Sequence, residues 1–212
     1  MLPSSRTHLW ILALLYGVTL VYLNLIPLDF SPLPLDEWLR QAMAMPWLKL
    51  GLASRADWVA NLLMAVPFGF LVASALGAPS GKSRANNGLS AYDVSSIAPT
   101  RAGRLAAILL GGPVVVALIL AIELVQILFP QRTVSLNDLV AGWLGGAIGI
   151  LAWTMAGERL WRLAWEAAHP NRRTLLAGIG LYTLAYAALS LFPYDFILNA
   201  GELADKFNTV HL

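Results

Sequence analysis

Cysteine is absent from this sequence, which removes disulfides, thiolate metal ligands and a cysteine nucleophile together. Histidine is scarce: His8, His169 and His211 stand apart near the ends of apolar segments, so a histidine metal cluster is not expected and no metal or other cofactor is implied. Charge is scarce as well. Only 12% of the residues are Asp, Glu, Lys or Arg, against about 25% in a typical soluble domain. No separate soluble domain fits between the apolar runs. The net charge of +2 and a pI near 9.1 would elsewhere point to nucleic acid. Here the basic residues lie in loops beside apolar runs, where membrane orientation explains them, and no nucleic-acid partner is expected.

What remains is apolar. Hydrophobic residues make up 58% of the 212 positions and the mean hydropathy is +0.67. The expected fold is all-α, a polytopic membrane helix bundle of about five transmembrane helices plus short interfacial helices, forming one domain over 1–212 with the lipid bilayer as its partner. Leu9–Leu28 is the first span, long enough at about 1.5 Å per residue to cross a hydrocarbon core of roughly 30 Å. Its N-terminal flank resembles a signal peptide, but the run is too long for an h-region and no A-x-A-like site follows, so a retained span is expected. Leu35, Trp38, Leu39 and Ala42 then recur at helical spacing, the pattern of a short amphipathic helix on the interface anchored by Trp38 and Trp47.

Trp58–Ala78 is the second span, with Pro67 inside it. A flexible, cytoplasmic loop over about 79–103 follows. Leu105–Phe129 is the third span and Leu139–Met155 the fourth, in which Gly142, Gly145, Gly146 and Gly149 form two overlapping small-xxx-small patterns. Such spacing predicts close packing, here against the third span. Glu158–Ala168 continues as a basic, interfacial helix carrying Trp161 and Trp165, and Thr174–Phe192 reads as the fifth span. Leu23–Phe30 (LNLIPLDF) and Leu189–Phe196 (LSLFPYDF) echo one another where the first and fifth spans end.

The chemistry concentrates in Glu123–Asp138, ELVQILFPQRTVSLND. Glu123 and Gln126 share a helix face, and Arg132, Ser135, Asn137 and Asp138 crowd the turn that follows. A carboxylate in lipid costs roughly 2.5–3.5 kcal/mol on insertion scales, so Glu123 needs a partner, and Arg132 is the first to suspect. Asp57 and Asn61, four apart, open the second span; a helix-dipole role for Asp57 is the alternative.

Lysines and arginines fall unevenly across alternate loops. Arg6, Lys82, Arg84, Arg101, Arg104, Arg159, Arg162, Arg172 and Arg173 lie on one side; Arg40, Lys49, Arg55, Arg132 and Lys206 lie on the other. The positive-inside rule then places the N-terminus in the cytoplasm and the C-terminus outside. Asp57, Asn61, Glu123, Gln126, Arg132, Ser135 and Asp138 all reach the extracytoplasmic surface in that orientation.

The run Asp57-x-x-x-Asn61 with Pro67 and Gly69, then Glu123-x-x-Gln126, then Arg132-x-x-Ser135-x-x-Asp138 and a glycine-rich helix resembles the VanZ-like domain over about 57–151. The Pro-x-Asp-Phe ends at Pro27 and Pro193 resemble the spans that flank it in longer members. Two positions differ from the glycopeptide-resistance form: its D-K-x-x-H element is Asp57-Trp58-Val59-Ala60-Asn61 here, and an expected asparagine is Gly142. The resemblance implies a bacterial inner-membrane protein of the cell envelope, in one branch linked to glycopeptide (teicoplanin) resistance. Three functions fit the residues. In a binding or accessory role, Asp57, Asn61, Glu123, Gln126, Arg132, Ser135 and Asp138 form a site for a lipid-linked cell-wall or polysaccharide precursor, with Arg132 gripping its anionic group. In an enzyme acting on such a substrate, Glu123 is the acid or base. In a structural clasp, Glu123, Arg132 and Asp138 form an ion-pair network. Ser135 has no histidine near it in sequence, which argues against a serine nucleophile.

Overall fold

The computed structural model describes residues 5–48, 52–78 and 100–168 and, beyond them, Leu176, residues 179–184 and Tyr186. Within residues 5–168 the described elements follow in order as α1 (Ser5–Leu25), α2 (Leu35–Met43), α3 (Leu52–Gly77), α4 (Arg101–Gln126) and α5 (Leu136–Ala168). Four of them contain stretches long and apolar enough to cross a membrane: Arg6–Leu25, Arg55–Gly77, Arg101–Gln126 and Leu136–Ala164. No strand occurs among the described residues, and the fold is the all-α polytopic bundle that the composition predicts. The fifth expected span, 174–192, lies largely outside the described residues; Leu176, 179–184 and Tyr186 within it are helical. The 79–99 part of the expected loop and the second copy of the Pro-x-Asp-Phe echo also fall outside them.

The helices alternate in direction; α3 and α4 each pack against all the other spans, and α3 does so most extensively. Glycines set how closely they meet. A Cβ on Gly145 would strike the Leu62 carbonyl of α3, and one on Gly149 the Val66 carbonyl, while Gly69 of α3 lies against the Gly146 backbone. Gly142 and Gly146 face the other way, onto Ile119 and Val115 of α4. The sequence predicted that both small-residue patterns would pack on the third span. Only 142/146 does so; 145/149 seats α5 on α3, because residues one position apart on a helix point about 100° apart. The interior is filled by Leu20, Phe68, Val72, Val115, Ile119, Ile150 and a fully buried Trp153. Leu14, Leu15 and Val18 of α1, Leu105, Leu109 and Leu110 of α4, and Leu144, Ile148 and Leu151 of α5 point outward. That apolar exterior is what lipid requires once helices have satisfied their own backbone.

Local chemistry fixes the ends. The Thr100 side chain caps α4 by accepting from the Gly103 N–H at 3.0 Å. At the other end α4 stops at Gln126, not at Phe129. Leu128 and Phe129 close tight turns onto the Val125 and Gln126 carbonyls, at 3.0 and 2.9 Å, before Pro130, whose missing N–H ends the ladder. Glu123 therefore stands about 4.5 Å, three residues, from the helix end, shallower than the apolar run implies. Glu158–Ala168 is helical, as expected, and follows the fourth span across a break in helical geometry at Ala156 (φ −137°, ψ 18°). The kink turns Trp161 inward, where its indole donates to Ser74 Oγ at 3.1 Å and packs on Phe70.

Candidate functional site

Four helix ends meet at one pole of the bundle: the C-termini of α1 and α4 and the N-termini of α3 and α5. Each supplies a polar side chain. Asn24 comes from α1, Asn61 from α3, Glu123 and Gln126 from α4, and Asp138 from α5. Ser135 begins α5 as its cap, its Oγ accepting from the Asp138 N–H at 3.2 Å. The same hydroxyl donates to Asp138 Oδ2 at 2.5 Å, and Asn61 Nδ2 donates to Asp138 Oδ1 at 2.9 Å. Both oxygens of this carboxylate, 9% exposed, are thus engaged by neutral donors. Gln126 Nε2 donates to the Asn24 carbonyl at 2.8 Å, with Asn24 Oδ1 more distant at 3.5 Å.

Glu123 is the most deeply set acid, 3% exposed. The Ser135 backbone N–H lies against its carboxylate, with Asp138 and Arg132 as the charged neighbours. Its Oε2 is buried and has no hydrogen-bond partner; neither has Arg132 Nε. The expected Glu123–Arg132 ion pair does not form, and no ion-pair clasp joins Arg132 to Asp138. Arg132 belongs to the tight turn after Phe129, its own N–H donating to the Phe129 carbonyl at 2.9 Å, which sets its side chain beside the carboxylates and not upon them. A small cavity of about 10 Å³, lined by Asn24, Asn61, Glu123, Asp138, Leu20, Ile119, Ile122 and Gly142, opens between these groups. That is room for about one water-sized occupant.

Asp57 is not drawn in. It is exposed on α3, one turn beyond Asn61, and makes no hydrogen bond to the cluster. Asn61, Glu123, Ser135 and Asp138 are brought together, Gln126 joins through Asn24, and Arg132 borders them. Asn24 is a member of the cluster that is not among the residues expected from the sequence. The signal was present, since an amide inside an apolar run near its end needs a partner of its own.

A strap crosses this pole. Residues 26–48 leave α1, run past Pro27, Pro32 and Pro34, form α2 and return to the α4–α5 turn. The Ser31 N–H donates to the Leu128 carbonyl at 2.8 Å, and the Leu136 N–H to the Pro46 carbonyl at 3.1 Å. Trp38 Nε1 donates to the Leu124 carbonyl at 2.9 Å, and the Leu48 N–H to Asn137 Oδ1 at 2.8 Å. Trp38 thus pins α2 to the end of α4, while Leu35, Leu39 and Trp47 stay exposed as an apolar outer surface. Phe30 meets Phe129 edge-on at 5.8 Å, and Gln131 reaches Asp29 at 3.1 Å.

With that geometry in place, comparison with known proteins is decisive on one point. The VanZ/LLP1 family model matches residues 4–157. The chain belongs to the VanZ/LLP1 family. The match begins far earlier than the 57–151 segment read from motifs, and runs from the start of α1 to just past the α5 kink. Asn24 and the strap are therefore part of the VanZ/LLP1 unit, together with the Glu123–Asp138 hairpin. No curated protein and no solved structure matches the chain.

Proposed function

We propose that the protein is a cell-envelope accessory protein of the bacterial inner membrane that binds the anionic group of a lipid-linked cell-wall or polysaccharide precursor. The site is the pole where α4 turns into α5. The observation that carries this reading is Arg132: its Nε is buried without a partner, and no protein carboxylate pairs with it. A guanidinium held so is suited to a phosphate, whose oxygens match its planar fork. The enzyme reading rests on the unpartnered Oε2 of Glu123. That oxygen has no hydroxyl within hydrogen-bonding reach to activate, the Ser135 hydroxyl being bound to Asp138, which favours binding. Through such a precursor the protein would influence glycopeptide (teicoplanin) tolerance.

The binding test uses the purified chain in nanodiscs titrated with undecaprenyl phosphate. Arg132→Ala is expected to weaken binding at least about tenfold, since a charged hydrogen bond contributes about 1.5–3 kcal/mol, and to do more harm than Glu123→Gln. Equal affinity in wild type and Arg132→Ala, or no binding by wild type, defeats the proposal.

The reading also requires the pole to face outward, with the N-terminus cytoplasmic, as the distribution of basic residues supports. Thr133 is exposed in the turn, and the chain has no cysteine to confuse a label. Thr133→Cys in intact cells is expected to react with a membrane-impermeant maleimide. Protection until the cells are opened would reverse the orientation.

A further inference from the structure

The cavity among the four helix ends has a one-sided chemistry. Each amide spends one of its two N–H groups on the protein: Asn24 Nδ2 on the Leu20 carbonyl at 2.9 Å, and Asn61 Nδ2 on Asp138 at 2.9 Å. What is left over is mostly acceptor oxygen. Glu123 Oε2 is buried with no partner, Asn24 Oδ1 has one long contact at 3.5 Å, and no hydrogen bond reaches Asn61 Oδ1 among the described residues. A buried, unpartnered carboxylate oxygen calls for an occupant, and the surplus of acceptors means that the occupant is electropositive.

Charge sets its valence. Glu123 and Asp138 line the cavity and bring two negative charges when both are ionised, the state that a bound cation favours, while no lysine or arginine lines it. Arg132, beside Glu123, offsets one of them. One more positive charge makes the group neutral, and a divalent ion would overshoot it. Carboxylate and amide oxygens are hard ligands suited to hard cations, and about 10 Å³ admits a single ion without its water shell. We infer that Asn24, Asn61, Glu123 and Asp138 form a binding site for one dehydrated monovalent cation of the size of Na⁺. This deepens the reading of the pole as a binding site; its ligands are the inner carboxylates and amides, and Arg132 enters only through its charge.

The experiment measures ²²Na⁺ binding to the purified full chain by scintillation proximity, with choline as the balancing cation. Saturable binding of one Na⁺ per chain is expected. NaCl at about a hundred times the dissociation constant should raise the melting temperature by roughly 5–10 °C over choline chloride. Glu123→Gln should lose at least tenfold in Na⁺ affinity, and Asp29→Asn, which removes an exposed acid at the same pole, should lose none. Should Glu123→Gln fail to fold, wild type decides: no bound ²²Na⁺ and equal melting in the two salts overturn the inference. Displacement of Na⁺ by Ca²⁺ at tenfold lower concentration overturns the monovalent assignment. Lost precursor binding with intact Na⁺ binding defeats only the earlier reading; the reverse pattern defeats only this one.

Discussion

Gly149→Val is expected to abolish recovery of folded, monodisperse protein. A side chain there meets the Val66 carbonyl, the Phe70 backbone N at 2.7 Å and the Gly69 carbonyl carbon at 3.1 Å. All three are main-chain atoms of α3, so nothing can rotate aside, and α5 must lift away from the helix it packs on most extensively. Overpacking a tight site costs about 1–3 kcal/mol where the surroundings can relax, and the upper end applies where they cannot. Gly112 is the control, because nothing lies within 4 Å of its added Cβ. Gly112→Ala should be neutral or stabilise by up to about 1 kcal/mol through helix propensity. Size-exclusion profiles and melting temperatures in detergent check both, and a well-folded Gly149→Val would refute the α3–α5 packing.

Asp138→Ala should have the next largest effect. Its carboxylate is the common acceptor for Asn61 and Ser135, and its removal strands two donors in a buried setting. An unsatisfied buried group costs about 1–3 kcal/mol, so a loss of about 3 kcal/mol is expected, or roughly 6–12 °C in melting temperature for a chain of this size. Asn61→Ala alone should cost less, since it leaves the Ser135 bond in place. The pair in one chain should show a coupling of about 1–3 kcal/mol, measured in choline chloride to remove any contribution from bound ions. Strict additivity would mean that α3 and α5 are not joined through this bond.

Much of the architecture is legible in residue order because lipid leaves few alternatives. Runs such as Leu105–Phe129 are too apolar and too long for anything but a span. The hairpin residues were legible too, since Glu123 and Asp138 stand out against that background. Partners were not. Small-xxx-small spacing at Gly145 and Gly149 announces a close neighbour without saying which one, and only assembly shows α3. Trp38 gives a helical pattern that suits a lipid surface or a bundle cap equally; the Leu124 carbonyl decides it. Arg132 failed to pair with Glu123 because nearness in sequence says nothing of how a tight turn aims a side chain. Ile127–Phe129 read as helix from their apolarity, while Pro130 denies them the last turn.

The polar pole also bears on how the chain is made. Gln126 meets Asn24 across 102 positions, and Asp138 meets Asn61 across 77. A ribosome delivers α1 first, so Asn24 enters the bilayer long before its tertiary partner is synthesised. Its side-chain N–H is already committed to the Leu20 carbonyl one turn earlier in its own helix, a bond that needs no other segment. Asn61 is bonded across the bundle instead, to Asp138, a partner that arrives only with α5. Biogenesis therefore has a last step written into it: the α3 amide and the α5 carboxylate can meet only once the final hairpin half is inserted.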